Sequence, residues 1–399
     1  MAAPDAFAPA ELGPIRLRNR IVKAATFEGM TRGNLPSERL VEFHRGMAAG
    51  GVGLTTVAFC AVSRDGIGTP NEIILSDAAI PALQRVADAV HAEGAAVSAQ
   101  IGHAGAVAAA AGLKALSPSP FWSPMAFRRT RAATEADITR IIGEFASAAR
   151  VVEAGGFDAI EIHLGHGYLA SEFLSPKLNR RTDRWGGSLE NRARFAREVV
   201  RAVRDAVGNR LAVTAKLNMS DGVPGGLWLD ESVTVARLLE SDGALDAIEL
   251  TGGSSLENPM YLFRGEAPIH EMAAVFPQPI KTAFKIFGKR FLPSYPFEEA
   301  YFLSYARQFR AALSMPLILL GGINRRDTIE QAMAEGFEFV AMGRALLREP
   351  DLVTKLATGM SRESLCVHCN KCMPTIYQGT HCVLVPPGQR PGHAPTTAR

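Results

Sequence analysis

Three groups of residues in this 399-residue chain have types and spacings that could do chemistry. The first is EIHLGHGY at 161–168, which brings His163, His166 and Tyr168 into one short stretch. Two histidines this close could ligate zinc, but a third protein ligand is needed and none is evident. They could be structural, hydrogen-bonded at a strand end. They could instead both donate to one substrate oxygen with Tyr168 as the proton source, which explains why donors and an acid occur together. The second group is glycine-rich: Gly321–Gly322, then Gly343 followed by Arg344. Glycine exposes backbone N–H groups to phosphate oxygens, and an arginine adds a charge-assisted bond. The bland alternative is a pair of tight turns. The third group is Cys366, Cys369, Cys372 and Cys382. In a reducing compartment four crowded cysteines point to metal ligation rather than to a disulfide framework, and either zinc or an iron–sulfur cluster accepts four thiolates.

Two further polar residues sit where an apolar run would otherwise end. Gln100 carries donors and an acceptor suited to the edge of a heteroaromatic ring. Lys216, in VTAKLNM, would place positive charge near that ring, and a lysine in mid-strand needs a partner to offset its burial.

These residues fall at the ends of a repeating unit, an amphipathic helix, a glycine-containing turn and a short apolar run. The runs are 20–26, 52–58, 95–101, 158–164, 211–217, 246–252, 316–322 and 338–344. Glycine at a helix C-terminus followed directly by a strand is αβ-loop chemistry. Ser37 precedes one helix, and Thr134 with Asp137 forms a capping-box-like start to another. Eight apolar strands alternating with helices predict an α/β fold, a (β/α)8 TIM barrel with its site at the C-terminal strand ends. No GxGxxG follows the first strand, which argues against a Rossmann sheet. The expected organisation is a barrel over 1–365, a cysteine segment over 366–382 and a disordered tail over 383–399.

Residues 254–298 form a long insertion between strands six and seven. Its basic and aromatic middle could be a lid, a partner surface or a membrane-surface patch; the bland expectation is a packed extra helix. The net charge of +3 implies no nucleic-acid or membrane partner. No apolar run suggests a membrane span, no secretory signal is evident, and a cytoplasmic protein is expected.

The segment GFDAIEIHLGHGYLASEFLSPKLNRRTDRWGGSLENRARF (156–195) resembles the signature of the old yellow enzyme family of flavin oxidoreductases. LRNRIV (17–22), AQIGHAG (99–105) and GRALLREPDL (343–352) support the resemblance, which runs from about residue 9 to about 375. It implies a barrel holding FMN, reduced by NADH or NADPH, that reduces an activated alkene such as an enone. By this likeness Ala24, Ala25, Thr26 and Phe27 would line the flavin, Gln100 would bond it, and Lys216 would lie near N1 and the C2 carbonyl. Gly322, Gly343 and Arg344 would hold the phosphate. His163 and His166 would bind the oxygen of the small-molecule substrate, and Tyr168 would donate the proton.

Two positions depart from the family. Phe27 stands where Thr or Cys is usual beside the flavin O4, with Thr26 just before it, and Lys216 replaces the usual Arg. The four cysteines resemble the [4Fe–4S] motif of larger relatives such as trimethylamine dehydrogenase and 2,4-dienoyl-CoA reductase, although the last spacing is shorter. That likeness implies an electron-transfer partner and, as an alternative activity, dehydrogenation or demethylation. A homo-oligomer is also expected. Readings outside redox chemistry are a phosphate-binding lyase or isomerase and a non-catalytic barrel. The former lacks an evident Schiff-base lysine or carboxylate set apart from Lys216, and the latter leaves Tyr168 and both histidines unexplained.

Overall fold

The computed structural model describes residues 3–108, 113–123 and 128–392. Eight parallel strands close on themselves: β1 (Ile21–Lys23), β2 (Leu54–Ala61), β3 (Ala96–Gly102), β4 (Ala159–Leu164), β5 (Ala212–Asn218), β6 (Ala247–Thr251), β7 (Leu317–Leu320) and β8 (Phe339–Met342). β8 pairs with β1, and β1 pairs with β2, which removes both sheet edges. The outer helices are α1 (Glu38–Ala49), α2 (Ile80–Ala92), α3 (Glu135–Ala154), α4 (Leu189–Val207), α5 (Leu229–Asp242), α6 (Leu303–Ala312), α7 (Arg326–Ala334) and α8 (Leu352–Thr358). The expected (β/α)8 barrel is therefore present.

Local chemistry explains the helix starts. The Ser37 hydroxyl accepts from the Leu40 amide at the head of α1, and Thr134 and Asp137 form a reciprocal capping box at α3. No helix among the described residues is long and apolar enough to cross a membrane.

Side chains alternate across a strand, so each strand presents two different sequences. On β4, Ile160, Ile162 and Leu164 pack outward into the large helix–strand core. Ala159 faces the barrel interior, in one cluster with Ala212, Ala247, Leu54 and Phe339. Small residues at this level leave room for a plug. An antiparallel hairpin, Ala10–Leu12 with Ile15–Leu17, supplies Leu12 and Leu17 to the same cluster and closes the N-terminal end of the barrel.

The insertion between β6 and β7 contains three short helices, Pro259–Phe263, Ile269–Ala274 and Ile280–Phe291. The expectation of a packed extra helix holds only along one edge. In Ile280–Phe291 only Gly288 is buried, with Phe284 packed against the cluster of Met260 and Ile269. Phe287 and Phe291 are more than half exposed.

The segment after α8 returns as a strap across the loop that follows β1. The Thr380 hydroxyl donates to the Phe27 carbonyl, the Thr380 amide donates to the Glu28 carbonyl at 2.7 Å, and Arg39 donates to the Gln378 carbonyl. Residues 383–392, predicted to be disordered, include buried Val385, whose carbonyl accepts from Arg390. Residues 393–399 of that predicted tail lie outside the described residues.

The hairpin plug makes a test of this packing. Leu12→Ala should destabilise the fold by about 2–5 kcal/mol, since it opens a void beneath a fully enclosed layer. A urea denaturation midpoint unchanged from the wild type would show that the hairpin does not close the core.

Candidate active site

The inward faces of β4, β5 and β6 change character toward the mouth. Above the alanine layer lie Glu161, Lys216 and Glu249, all nearly fully buried. The Lys216 ammonium stands 3.0 Å from Glu161 Oε1 and 2.9 Å from Glu249 Oε1. The Gln100 amide donates to Glu161 Oε1 at 2.7 Å. Burial by itself would push the lysine pKa down, but the two carboxylates outweigh it and hold it above its ordinary value. Burial and the neighbouring Glu161 carboxylate push Glu249 up to about 8 against the pull of Lys216. Two carboxylates thus share one ammonium, which disfavours ionisation of Glu249.

Beside this layer a second buried ion pair joins Lys23 to Glu28 at 2.6 Å. Lys23 also donates to the Thr56 carbonyl, and the other Glu28 oxygen accepts from the Ala58 amide. His44 bonds Thr55 and stands 3.7 Å from Glu28. Burial opposes ionisation of Glu28, yet Lys23 and His44 hold its pKa below the usual carboxylate range.

The partner that sequence reasoning required for Lys216 is therefore a pair of carboxylates it did not single out. Glu161, Glu249, Lys23 and Glu28 were all missed. A usable signal was present: in IEIH and IELT the period of two places Glu161 with His163, and Glu249 with Thr251, on one face. The consequence for Lys216 is a weaker field at the mouth than a free ammonium would give, because Glu161 offsets its charge.

Above the ionic layer the strand ends carry the histidines and the tyrosine. Their ring centroids lie 5.0 Å apart for His163–His166 and 4.6 Å for His163–Tyr168. Phe59 packs against both His163 and Tyr168. His166 adopts a positive φ of 61°, with its amide bonded to Asn218 and its Nε2 to the Thr251 hydroxyl. His163 Nδ1 is buried without a partner among the described residues. Burial, joined by the like charge of Lys216, pushes His166 down to about 3 and His163 well below its usual range. Both rings are neutral, so each offers one N–H donor. Burial raises the Tyr168 pKa, so its phenol stays protonated.

Ala25 and Phe27 pack on the same apolar patch as Tyr168, around Ala58 and Phe59. Ala24 points into the interior cluster instead. The Thr26 hydroxyl is buried and has no partner among the described residues, and its methyl lies about 3.6 Å from where a Cβ on Gly343 would stand. Ala25, Phe27, the histidines and Tyr168 therefore converge on one mouth, with Gln100 in the ionic layer beneath.

At the opposite side, Gly321 and Gly322 have positive φ values and close rings above them. A Cβ would stand 2.6 Å from the Phe302 ring at Gly321 and 2.6 Å from the Tyr301 ring at Gly322. Gly343 begins the short helix Arg344–Arg348. The Arg344 guanidinium donates to the Arg264 carbonyl at 2.9 Å and to Asn370. These features fit FMN: an orphaned Thr26 hydroxyl and the Gln100 amide for a ring edge, and a glycine pair with arginine for a phosphate. Phe27 offers no donor, and the adjacent Thr26 supplies a free one.

All four cysteines, with Arg344, Arg348 and Asn370, line a single small cavity of about 20 Å³. They are free thiols, and burial pushes Cys372 up to about 12. Among the described residues no three His, Cys, Asp or Glu side chains are arranged around a common point as metal ligands. The donor set suits a metal, but the thiols as placed are not gathered into a site.

The neutral histidines carry a pH signature. Unfolded histidine titrates near pH 6.5, so below that the unfolded chain takes up protons that the folded His166 refuses until about pH 3. The stability tied to a neutral His166 is complete above about pH 6.5 and is lost as pH falls toward 3. We expect the urea midpoint to fall across this window less steeply in His166→Asn than in the wild type. Parallel profiles would exclude His166 as a depressed titrating group.

A profile of the NADH:flavin oxidoreductase / NADH oxidase family matches residues 5–248. The chain is 56% identical over 383 residues to 4,4'-dithiodibutanoate disulfide reductase of Rhodococcus erythropolis, covering 96% of this chain and 95% of that protein. It is 34% identical over 377 residues to a metal reductase of Desulforamulus reducens, covering 93% of this chain but 52% of the relative. For a multifunctional alkene reductase/demethylase of Caballeronia cordobensis the figures are 32% over 371 residues, 91% and 50%. The chain thus spans about half the length of these last two relatives. Among solved structures, 2-naphthoyl-CoA reductase aligns with a TM-score of 0.75 at 27% identity, over 89% of this chain and 52% of that one. An old yellow enzyme homologue from Zymomonas mobilis aligns at 0.71 and 22% identity, over 92% and 96%, and shares the fold. With the family profile spanning most of the barrel and a relative of equal length at this identity, the chain is an oxidoreductase of the NADH:flavin oxidoreductase family, to which the old yellow enzymes belong.

Proposed function

We propose that this protein is an FMN-dependent reductase that takes hydride from NADH or NADPH and delivers it to an activated alkene. FMN, when bound, supplies the hydride transfer. The observation that carries the reading is the pair of neutral imidazoles 5.0 Å apart with a phenol beside them. His163 and His166 would hold the carbonyl or nitro oxygen of the acceptor and stabilise the negative charge that gathers there as hydride arrives. Cationic imidazoles would bind the oxygen too, but would also bind anions without discrimination. Tyr168 would place its proton on the α-carbon. Lys216, paired with Glu161 and Glu249, would orient Gln100 through their shared carboxylate oxygen rather than act as a free positive charge. Thr26 would donate to the ring edge.

A second reading concerns the acceptor. The relative at 56% identity is a disulfide reductase, which favours an organic disulfide in the same place. Hydride then breaks the S–S bond, releasing one thiol and one thiolate, and Tyr168 protonates the thiolate. In either reading the cysteine segment would hold a [4Fe–4S] cluster, zinc or no metal, and a metal there would have to draw the four thiols together. An iron–sulfur cluster would serve exchange of electrons with a partner protein.

Tyr168→Phe is expected to leave reduction of the bound flavin by the nicotinamide within about twofold, while alkene turnover falls by about 10²–10⁴. Stopped-flow absorbance separates the two half-reactions, and equal losses in both would remove the proton-donor role. Running 4,4'-dithiodibutanoate beside an enone decides the acceptor class. Anaerobic absorbance with iron, sulfide and zinc analysis decides the occupant of the cysteine segment, with four sulfides and four irons per chain expected for the cluster.

A further inference from the structure

Arg344, the arginine that sequence reasoning assigned to the phosphate, is partly engaged elsewhere. It donates to the Arg264 carbonyl and to Asn370, and it lines the cysteine cavity. A second arginine packs on the rings that meet the Gly321–Gly322 pair. Arg264 comes from the insertion, directly after the helix Pro259–Phe263. Its guanidinium lies 5.1 Å from the centroid of the Tyr301 ring, and 5.5 Å, 5.8 Å and 6.0 Å from those of Tyr261, Tyr295 and Phe302. Tyr301 and Phe302 are the same rings that meet Gly322 and Gly321.

Four aromatic faces attract a cation but accept none of its hydrogen bonds. Arg264 makes no side-chain hydrogen bond and no ion pair among the described residues, and its Nε is buried without a partner. Arg344 likewise has no carboxylate partner. Two partly buried guanidiniums beside Tyr301, neither with a carboxylate partner among the described residues, leave a positive surplus that an anion would neutralise. A guanidinium offers a planar fork matched to phosphate oxygens, and the rings fix its plane.

We propose that Arg264 is a phosphate-binding residue of this enzyme, contributed by the insertion and held by an aromatic cage, that grips the phosphate of FMN together with Gly322 and Arg344. The proposal rests on the FMN reading above and adds to it a function for the insertion. The insertion is then part of the cofactor site, and Tyr301 both covers Gly322 and aims the cation.

The test compares FMN with riboflavin, which has the ring but no phosphate. The full chain is stripped of flavin and titrated with each, with quenching of flavin fluorescence as the readout. Arg264→Met should weaken FMN binding by at least about tenfold, the scale of a hydrogen bond to a charged group, and leave riboflavin binding within about twofold. Arg264→Lys should recover part of the FMN affinity, and it carries the comparison if the Met variant does not fold. Equal losses for both flavins would mean that Arg264 only supports the fold, and no loss for either would mean that it does not touch the phosphate. Both results overturn the proposal while leaving the flavin assignment standing. A wild-type chain that binds neither flavin would overturn the FMN reading and this proposal together.

Discussion

Lys216 buried between Glu161 and Glu249 is the interaction around which the mouth is organised. An ammonium taken out of water is costly unless its partners are fixed and its remaining protons are satisfied. The barrel meets that demand because three neighbouring strands bring the groups together by register. His163 pairs with Lys216 and Lys216 with Glu249 across adjacent strands, and Glu161 pairs with Gln100. A shift of one residue in any of these strands would turn its charges outward into the helix layer. The ionic layer therefore specifies the alignment of the strands as well as the position of Gln100.

The same layer sets the chemistry above it. His163 and His166 are buried away from water, with the Lys216 ammonium nearby, which keeps both rings neutral. Under the proposed function, neutral donors would suit an oxygen that becomes negative only as hydride is transferred, since the stabilisation would then grow along the reaction rather than being spent on binding. Phe59 packs against both His163 and Tyr168 and closes one side of this group.

The barrel was legible in the sequence because αβ turns with glycine and eight apolar runs recur in order. His163, His166 and Tyr168 were legible because they crowd one strand end. What escaped was the inward polar face of β4 to β6. Runs such as DAIEIHL read as apolar on both sides when judged by composition, and only their alternation separates Glu161 from Ile160 and Ile162. Arg264 escaped for a different reason. It is remote in sequence from Gly321 and Gly322, and only the fold of the insertion sets it against Tyr301 and Phe302, the rings that meet them. The course of residues 380–392 was hidden by composition, because proline and glycine there form turns that pack rather than a free tail.

The strap formed by Thr380 gives the thiol-bearing segment a mechanical connection to the ring-facing loop. Phe27 and Glu28 present their carbonyls to it, and Glu28 is the acid that neutralises Lys23. Whatever gathers or releases the four sulfur atoms pulls on a stretch of chain that ends at this loop. A protein trimmed after residue 365 would thus lose more than its cysteines, because the wall beside Thr26 would be left with unpaired carbonyls and free to shift.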